Sequence, residues 1–513
     1  MKKLYDYQRR AVNSTKKQSK GIVCMPTGVG KTFCQASMVA RDIQKNPNEF
    51  RLYVVNAPRI LLSYQLLREV YSFLLESNII ARYSFVHSGS SADETELENI
   101  RTRIEKENDI EIPFSQIGAT LNVEGITTII NKAKQQNLPL ILFSTYNSAE
   151  KIEVARQQTN VEIAMVLNDE AHYLVQERFY DILNTLKANR CYFFTATMIH
   201  TPSDNGRGMN NEESYGKVLY EMLPVHAIRI GKMVRPRLHF VTTENIYNTD
   251  DYNKSLNKII VDVFEQHTQV LKKTNQTPKL LISTRGTQDI IDFINSNEYT
   301  QLRCKGVDVY VVSSSENVGN RINDEEVRRQ EFLKRLKQDG EDKTKKILVM
   351  HYDILAEGID VSGFTGIMPL RTLNKSKFLQ TYGRSARPDK DDRPVIDAIV
   401  KVNGYMTKDD WKKLNKPYAY IIVPNITHTN EDDKENTIQL ITELRTYDFN
   451  PSEDIIGSQI TKGEIDIEEP DIMNEQPQIL KKVGVLIDRL IAELEAERLA
   501  SMSNIELAKE LLK

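Results

Sequence analysis

Residues Met25-Pro26-Thr27-Gly28-Val29-Gly30-Lys31-Thr32 follow the short apolar run Gly21 to Cys24 and precede a stretch suited to a helix. Strand, glycine-bearing loop, then helix is the order a phosphate-binding loop requires. Gly28 and Gly30 let the backbone wrap an anion with its amides inward, Lys31 neutralises the β and γ phosphates, and Thr32 offers a hydroxyl to magnesium. Thr27 and Val29 complete the loop, and Met25 stands where the general pattern has its first glycine. Farther on, the apolar run Ile163 to Leu167 ends in Asn168-Asp169-Glu170-Ala171-His172. Two adjacent carboxylates at the C-terminal end of a buried parallel strand sit where open α/β sheets bind ligands. Asp169 is placed to hold magnesium through water, and Glu170 to orient and deprotonate an attacking water in phosphoryl transfer. A solvated acidic strand end is the plain alternative, and the phosphate loop upstream argues against it.

The elements that must position these groups alternate strand and helix. Gly21 to Cys24, Leu52 to Asn56, Ser84 to His87, Leu140 to Ser144, Ile163 to Asn168 and Cys191 to Phe194 read as buried strands separated by amphipathic stretches, the pattern of a parallel α/β sheet. The rhythm restarts near Pro236, with candidate strands at Arg237 to Thr242, Lys279 to Ser283, Val307 to Val312, Lys346 to Met350, Gly366 to Pro369 and Tyr418 to Val423. The fold class is therefore α/β with two tandem domains, residues 1–235 and 236–425. Ser88 to Pro139 is charge-rich, carries no motif and reads as a helical insertion over the first sheet. Residues 426–476, with Glu431, Asp432, Asp433, Glu464, Asp466, Glu468 and Glu469, read as an acidic linker and surface segment. In 477–513, Leu480, Val483, Ile487, Leu490 and Leu494 alternate at three and four spacing, and Ser503 with Glu506 forms a capping box. These are C-terminal helices that pack on their own core, self-associate or dock a protein partner.

In this order the motifs resemble those of superfamily two helicase ATPases of the DEAH type, over roughly residues 1–425. The resemblance implies two RecA-like domains that clamp one ATP with Mg2+ and move along nucleic acid. It implies that Gln8 reads adenine and that Pro58, Arg59, Thr145 and Tyr146 touch the nucleic-acid backbone from the first domain, as Thr284 and Arg285 do from the second. Thr195-Ala196-Thr197, with His172 and Gln380, is similar to the set that couples hydrolysis to strand contact. Ala356-Glu357-Gly358-Ile359-Asp360-Val361 resembles the segment that senses nucleotide through Gly358 and Asp360. Gln380-Thr381-Tyr382-Gly383-Arg384-Ser385-Ala386-Arg387 matches QxxGRxxR and implies two arginines facing the triphosphate, Arg387 as the finger and Arg384 as its neighbour.

Within the superfamily, Gly231 to Pro236 and Leu373 to Gln380 look most like the motor subunits of type I and type III restriction enzymes and related phage and repair helicases. That group acts on duplex or branched DNA, which favours DNA over RNA; the short span from Val361 to Gln380 leaves no room for the extra hairpin of RNA-remodelling DEAH proteins. Other readings are an RNA helicase, the motor of a nuclease whose cut is made by a partner, and a nucleotide-gated scaffold. Composition bounds the rest. Hydrophobic residues make up 40% and charged residues 27% of 513 residues, a globular profile expected to form several domains. A net charge of -3 leaves any nucleic-acid affinity to a local basic surface. Cys24, Cys34, Cys191 and Cys304 show no metal-ligand spacing and read as reduced thiols. With no apolar run of bilayer length and no secretory leader, a cytoplasmic location is expected, and the lysine, asparagine and isoleucine content suits an AT-rich bacterial, phage or viral genome.

Overall fold

The computed structural model describes residues 4–86, 117–120, 122–201, 206–242, 252–274, 276–313, 318–352, 363–370, 375–424, 444–447, 449, 454–461 and 464–468. The chain divides into two compact units, Met1–Leu223 and Pro224–Lys513. In the first, apolar and β-branched runs give β1 Lys20–Cys24, β2 Leu52–Ala57, β3 Arg82–Val86, β4 Ile117–Thr120, β5 Leu140–Thr145, β6 Ile163–Asn168, β7 Cys191–Thr195 and β8 Lys217–Glu221. The sheet order is β4-β3-β5-β2-β6-β7-β1-β8, and every pairing is parallel. Strands β2, β5 and β6 are buried along their whole length, which is why they read as continuous apolar runs rather than alternating ones. Helices α1 Asp6–Ser14, α2 Lys31–Lys45 and α3 Ile60–Glu76 belong to the same unit. One core joins Leu52, Val54, Leu140, Leu142, Ile163 and Val166 to Ile126, Ile130 and Ala133.

Those last three residues correct one expectation. Part of the stretch expected as an insertion belongs to the sheet: β4 pairs in parallel with β3, and the helix Val123–Gln135 leads from it to β5. Asn122 caps that helix by accepting from the Gly125 amide at 2.8 Å, and Ile126, Ile130 and Ala133 at helical spacing bury its inner face. Strand β8 went unread because it is an edge strand whose side chains are largely exposed.

The second unit contains β9 Arg235–Thr242, β10 Lys279–Ser283, β11 Val307–Val312, β12 Asn320–Ile322, β13 Glu325–Glu326, β14 Lys346–His351, β15 Gly366–Pro369, β16 Tyr418–Pro424, β17 Ile455–Thr461 and β18 Glu464–Glu468. The order is β13-β12-β11-β14-β10-β15-β16-β9-β17-β18. The strands from β11 to β17 in that order pair in parallel, while β12, β13 and β18 add antiparallel extensions at the two edges. The unit begins earlier than expected. Upstream of Arg235, the Val234 amide donates to the Ala386 carbonyl at 2.7 Å and the Met406 amide to the Arg229 carbonyl at 2.6 Å, so the helix Pro224–Arg229 is part of this unit.

The acidic stretch expected as linker supplies two strands. Ile455 and Ile456 are buried, β17 pairs with β9 from Ile455 opposite Leu238, and Glu464 to Glu468 alternates carboxylates with Ile465 and Ile467 as a strand does. Arg235 and Asp454, each 2% exposed, form an ion pair at 3.0 Å, and His239 Nε2 lies 2.7 Å from Ser458 Oγ. The carboxylates of β18 lie on the outer edge strand, where charge discourages pairing with another chain. The C-terminal helices expected over 477–513 lie outside the described residues. Among the described residues no helix is long and apolar enough to cross a membrane. Removing one partner of a buried ion pair strands the other charge, at a cost of about 3–5 kcal/mol. Asp454→Ala is therefore expected to lower the urea midpoint of the transition assigned to the second unit; an unchanged midpoint would contradict the anchoring role of this pair.

Candidate nucleotide site

Because the first sheet is all-parallel, β1 and β6 deliver their C-terminal ends to the same edge, with only β7 between them. The loop after β1 starts with the Met25 amide donating to the Thr195 carbonyl of β7 at 2.9 Å. Gly28 and Gly30 have φ of +84° and +86°, a left-handed conformation that turns the chain tightly into α2. The Val29 carbonyl accepts from Tyr7 Oη at 3.0 Å and from Gln8 Nε2 at 3.1 Å, while Gln8 Oε1 accepts from the Tyr5 amide at 3.1 Å. A Cβ on residue 30 would lie 2.5 Å from Gln8 Nε2, so glycine is what allows α1 to grip the loop this closely. The Thr27 hydroxyl is buried in the loop with no hydrogen-bond partner among the described residues. Lys31 is the first residue of α2 and nearly buried; its Nζ lies 3.4 Å from the Met25 carbonyl and 3.8 Å from Glu170 Oε1. Thr32 follows it in the same turn.

Asp169 leaves β6 with its amide donating to the Asn56 carbonyl at 2.8 Å and its carbonyl accepting from Tyr146 Oη at 2.5 Å. Its carboxylate is 4% exposed and accepts from Gln35 Nε2 at 2.7 Å. Burial, and then the neighbouring Glu170 charge, push its pKa well above the usual carboxylate range, with Lys31 and Gln35 opposing. Glu170 has φ +48°, a left-handed conformation that costs a side-chain-bearing residue about 1–2 kcal/mol. His172 Nδ1 lies 3.2 Å from Thr195 Oγ1 and 3.5 Å from Glu170 Oε2. Thr195 Oγ1 donates to the Thr197 carbonyl at 2.7 Å, so toward His172 it accepts, and the Nδ1–H tautomer fits. Burial holds His172 below the ordinary imidazole value, partly offset by Glu170, which keeps the ring neutral.

The first unit thus brings Gln8, the loop from Thr27 to Thr32, Asp169, Glu170, His172, Thr195 and Thr197 together. Three side chains from the segments expected to touch nucleic acid take part in internal hydrogen bonds. Tyr146 is fully buried and supports Asp169, Thr145 Oγ1 is paired with Ser148 Oγ at 3.1 Å, and Thr284 is fully buried with its hydroxyl on the Gly286 carbonyl at 3.0 Å. Pro58 and Arg59 follow β2, and the Arg59 side chain is exposed. In the second unit Arg285 is held by Asp289, NH2 to Oδ1 at 2.6 Å and Nε to Oδ2 at 3.0 Å. Gln380 and Arg384 are buried on the helix Lys375–Ser385, and Arg387 follows it, partly buried. Gly358 and Asp360 lie outside the described residues.

Two supports were missed. Gln35 stands four residues after Lys31 on α2, and that spacing alone puts it on the face of Lys31. Beneath the strand ends, Asn56 Nδ2 donates to Asn168 Oδ1 at 3.0 Å and Ser144 Oγ to Asn56 Oδ1 at 2.5 Å, a buried layer signalled only by polar residues closing apolar runs. The raised Asp169 pKa has a sign. The native state holds the proton more tightly than the unfolded chain, whose aspartate titrates near 4. Its stabilisation is complete in acid and is lost as pH rises through the raised native value. Asp169→Asn is expected to flatten this slope, so that the wild-type melting temperature falls below the variant's between about pH 5 and about pH 8. Parallel profiles without nucleotide would refute the assignment.

Residues 1–200 match the family described as "Type III restriction enzyme, res subunit". No curated protein matches the chain. Among solved structures, it is similar to the ATP-dependent Type ISP restriction-modification enzyme LlaBIII bound to DNA, at 16% identity and a TM-score of 0.64, over 96% of this chain and 32% of that one. It spans about a third of that enzyme's length. S. cerevisiae Dbp5 bound to RNA and ADP BeF3 aligns at 13% identity and a TM-score of 0.49, over 95% of this chain and 94% of that one. Residues 1–200 thus match a restriction-enzyme subunit family, and the fold of the chain is similar to that of the Type ISP restriction-modification enzyme.

Proposed function

We propose that this chain is an ATP-dependent motor that moves along or remodels DNA. The observation that carries the reading is the continuous chain of polar contacts in the first unit, from the phosphate loop through Lys31, Glu170 and His172 to Thr195 and Thr197. Lys31 is placed so that an arriving phosphate takes the charge it now shares with Glu170. Glu170 is then left to orient and deprotonate water, while its second oxygen faces His172. A change at Glu170 is thereby passed to the Thr195-Ala196-Thr197 segment, which is how hydrolysis reaches the strand-contacting residues.

The donors present fit a magnesium ion bound with nucleotide. Mg2+ takes one or two carboxylates plus substrate phosphates and water, and Thr32 with the buried Asp169 supplies that set; the ion would neutralise charge developing on the phosphates. Gln8 is the adenine reader in this scheme, and its grip on the Val29 carbonyl links the base to the loop. Arg387, with Arg384, supplies the positive charge that phosphoryl transfer develops a need for.

DNA is favoured over RNA by the restriction-enzyme family match and by the DNA-bound LlaBIII enzyme. A second reading, the motor of a nuclease whose cut is made by a partner, is supported by the same restriction-enzyme family match. A cytoplasmic location suits either reading. The test is steady-state ATP hydrolysis with no nucleic acid, single-stranded DNA, forked DNA, duplex DNA and RNA. DNA is expected to raise the rate and Glu170→Gln to lower kcat by roughly a hundredfold or more. Stimulation by RNA alone would overturn the DNA assignment, and an active Glu170→Gln would overturn the catalytic one.

A further inference from the structure

The helix that carries Gln380 and Arg384 ends at Ser385, and the chain then runs through Arg387 and Pro388 to Asp392, where the helix Arg393–Asn403 begins. This connection is tied to a second segment, Asn415-Lys416, just before β16. Asp392 is 2% exposed; its Oδ1 accepts from the Asn415 amide at 2.9 Å and from Asn415 Nδ2 at 2.8 Å, and its Oδ2 accepts from the Lys416 amide at 2.9 Å. In the other direction Lys416 Nζ donates to the Arg387 carbonyl at 2.8 Å. Two opposed tethers therefore close a small loop. One holds its end at Asp392, and the other holds its start at Arg387.

Lys416 is 2% exposed, an unusual place for an ammonium group, since lysine is almost never fully buried unless paired. Burial pushes its pKa down to about 7, with Asp389 and Asp392 favouring the charge and Arg387 and Lys279 opposing it. A surface anchor would not require this cost. The loop's exposed side is held separately, by Lys343 with Asp389 and Asp391 and by Lys390 with Glu341.

We propose that Lys416 is a positioning residue for Arg387: its buried ammonium fixes the peptide from which the Arg387 side chain departs, so that the guanidinium is aimed for phosphoryl transfer. The assignment rests on the reading of Arg387 as the arginine finger. An ion or donor that fixes backbone at a catalytic residue acts through geometry, and misplacing a reacting group by about 1 Å can cost roughly a hundredfold in rate. Ground-state binding of ATP, which the first unit's loop provides, is left largely unchanged.

The experiment measures kcat and KM for ATP, in the presence of the best activating nucleic acid, for wild type, Lys416→Met, Arg387→Ala and the double variant, with a thermal melt of each. Lys416→Met is expected to lower kcat by roughly tenfold to a hundredfold with KM within about threefold, and to lower it no further in the Arg387→Ala background. Lys416→Gln, which keeps a polar donor in the pocket, carries the same test should Lys416→Met lose its cooperative melt. A kcat unchanged in Lys416→Met, or losses that multiply in the double variant, would overturn the positioning role. A wild-type kcat in Arg387→Ala would sink the finger reading and this assignment with it. A collapsed kcat in Arg387→Ala beside an intact Lys416→Met would sink the assignment alone.

Discussion

The first unit is arranged around one unfavourable group, the buried carboxylate of Asp169. An aspartate taken out of water beside a second carboxylate raises its own free energy and must find donors or a proton. Gln35 supplies one donor at 2.7 Å, Lys31 supplies charge through Glu170, and the Asp169 backbone is clamped on both sides by Asn56 and Tyr146. Those partners come from α2, β2 and the turn after β5. Only an all-parallel sheet ends all of these strands at one edge, so the electrostatics of a single side chain and the topology of eight strands are one problem. The left-handed Glu170 belongs to the same strand end and carries backbone strain of its own.

The second unit solves a different problem with the same means. Its strand β9, third from one edge of the sheet, carries Arg235, Arg237 and His239, all buried. Each needs a partner inside the fold. Asp454 takes Arg235, Arg237 lies over the Tyr418 ring with its guanidinium carbon 4.6 Å from the centroid, and Ser458 takes His239 while donating to Gln266. His267, 6.2 Å from His239 between ring centroids, bonds to Thr365 Oγ1 at 2.9 Å. Burial depresses both imidazoles, so they pack as neutral rings, His239 bonding β9 to β17 and His267 bonding the helix Tyr252–Leu271 to Thr365 just before β15.

Much of this was readable in the chain, for reasons that differ by element. Apolar runs such as Leu140 to Thr145 and Ile163 to Asn168 announce a strand because both faces are buried, but that same property hides which way each side chain points. The motif placed Tyr146 in a segment expected to touch nucleic acid, but not its side chain, which is buried under Asp169. The phosphate loop was read from spacing because its glycines, lysine and threonine have backbone reasons to stand where they do. Strand β18 was missed because its carboxylates resembled a linker's, although Ile465 and Ile467 alternate with them as a strand requires, and β17 was passed over within the same stretch. Position along a motif gives order; it does not give direction or partners, and Gln35, Asn56 and Lys416 needed both.

The pairing of β17 with β9 has a temporal side. Arg235 and Asp454 are 219 positions apart in the chain, and everything between them must leave the ribosome before they can meet. At synthesis rates of roughly 5–20 residues per second, that is a wait of about ten to forty seconds. The first unit has its whole sheet within Met1–Leu223 and can be complete well before then. During the interval the β9 side chains Leu238 and Phe240, buried in the finished fold, lack their outer neighbour, and the nascent second unit presents an open, apolar strand edge. The vulnerability of this protein during its birth is thus concentrated in one strand, and it ends when a stretch that looks like a charged tail arrives to cover it.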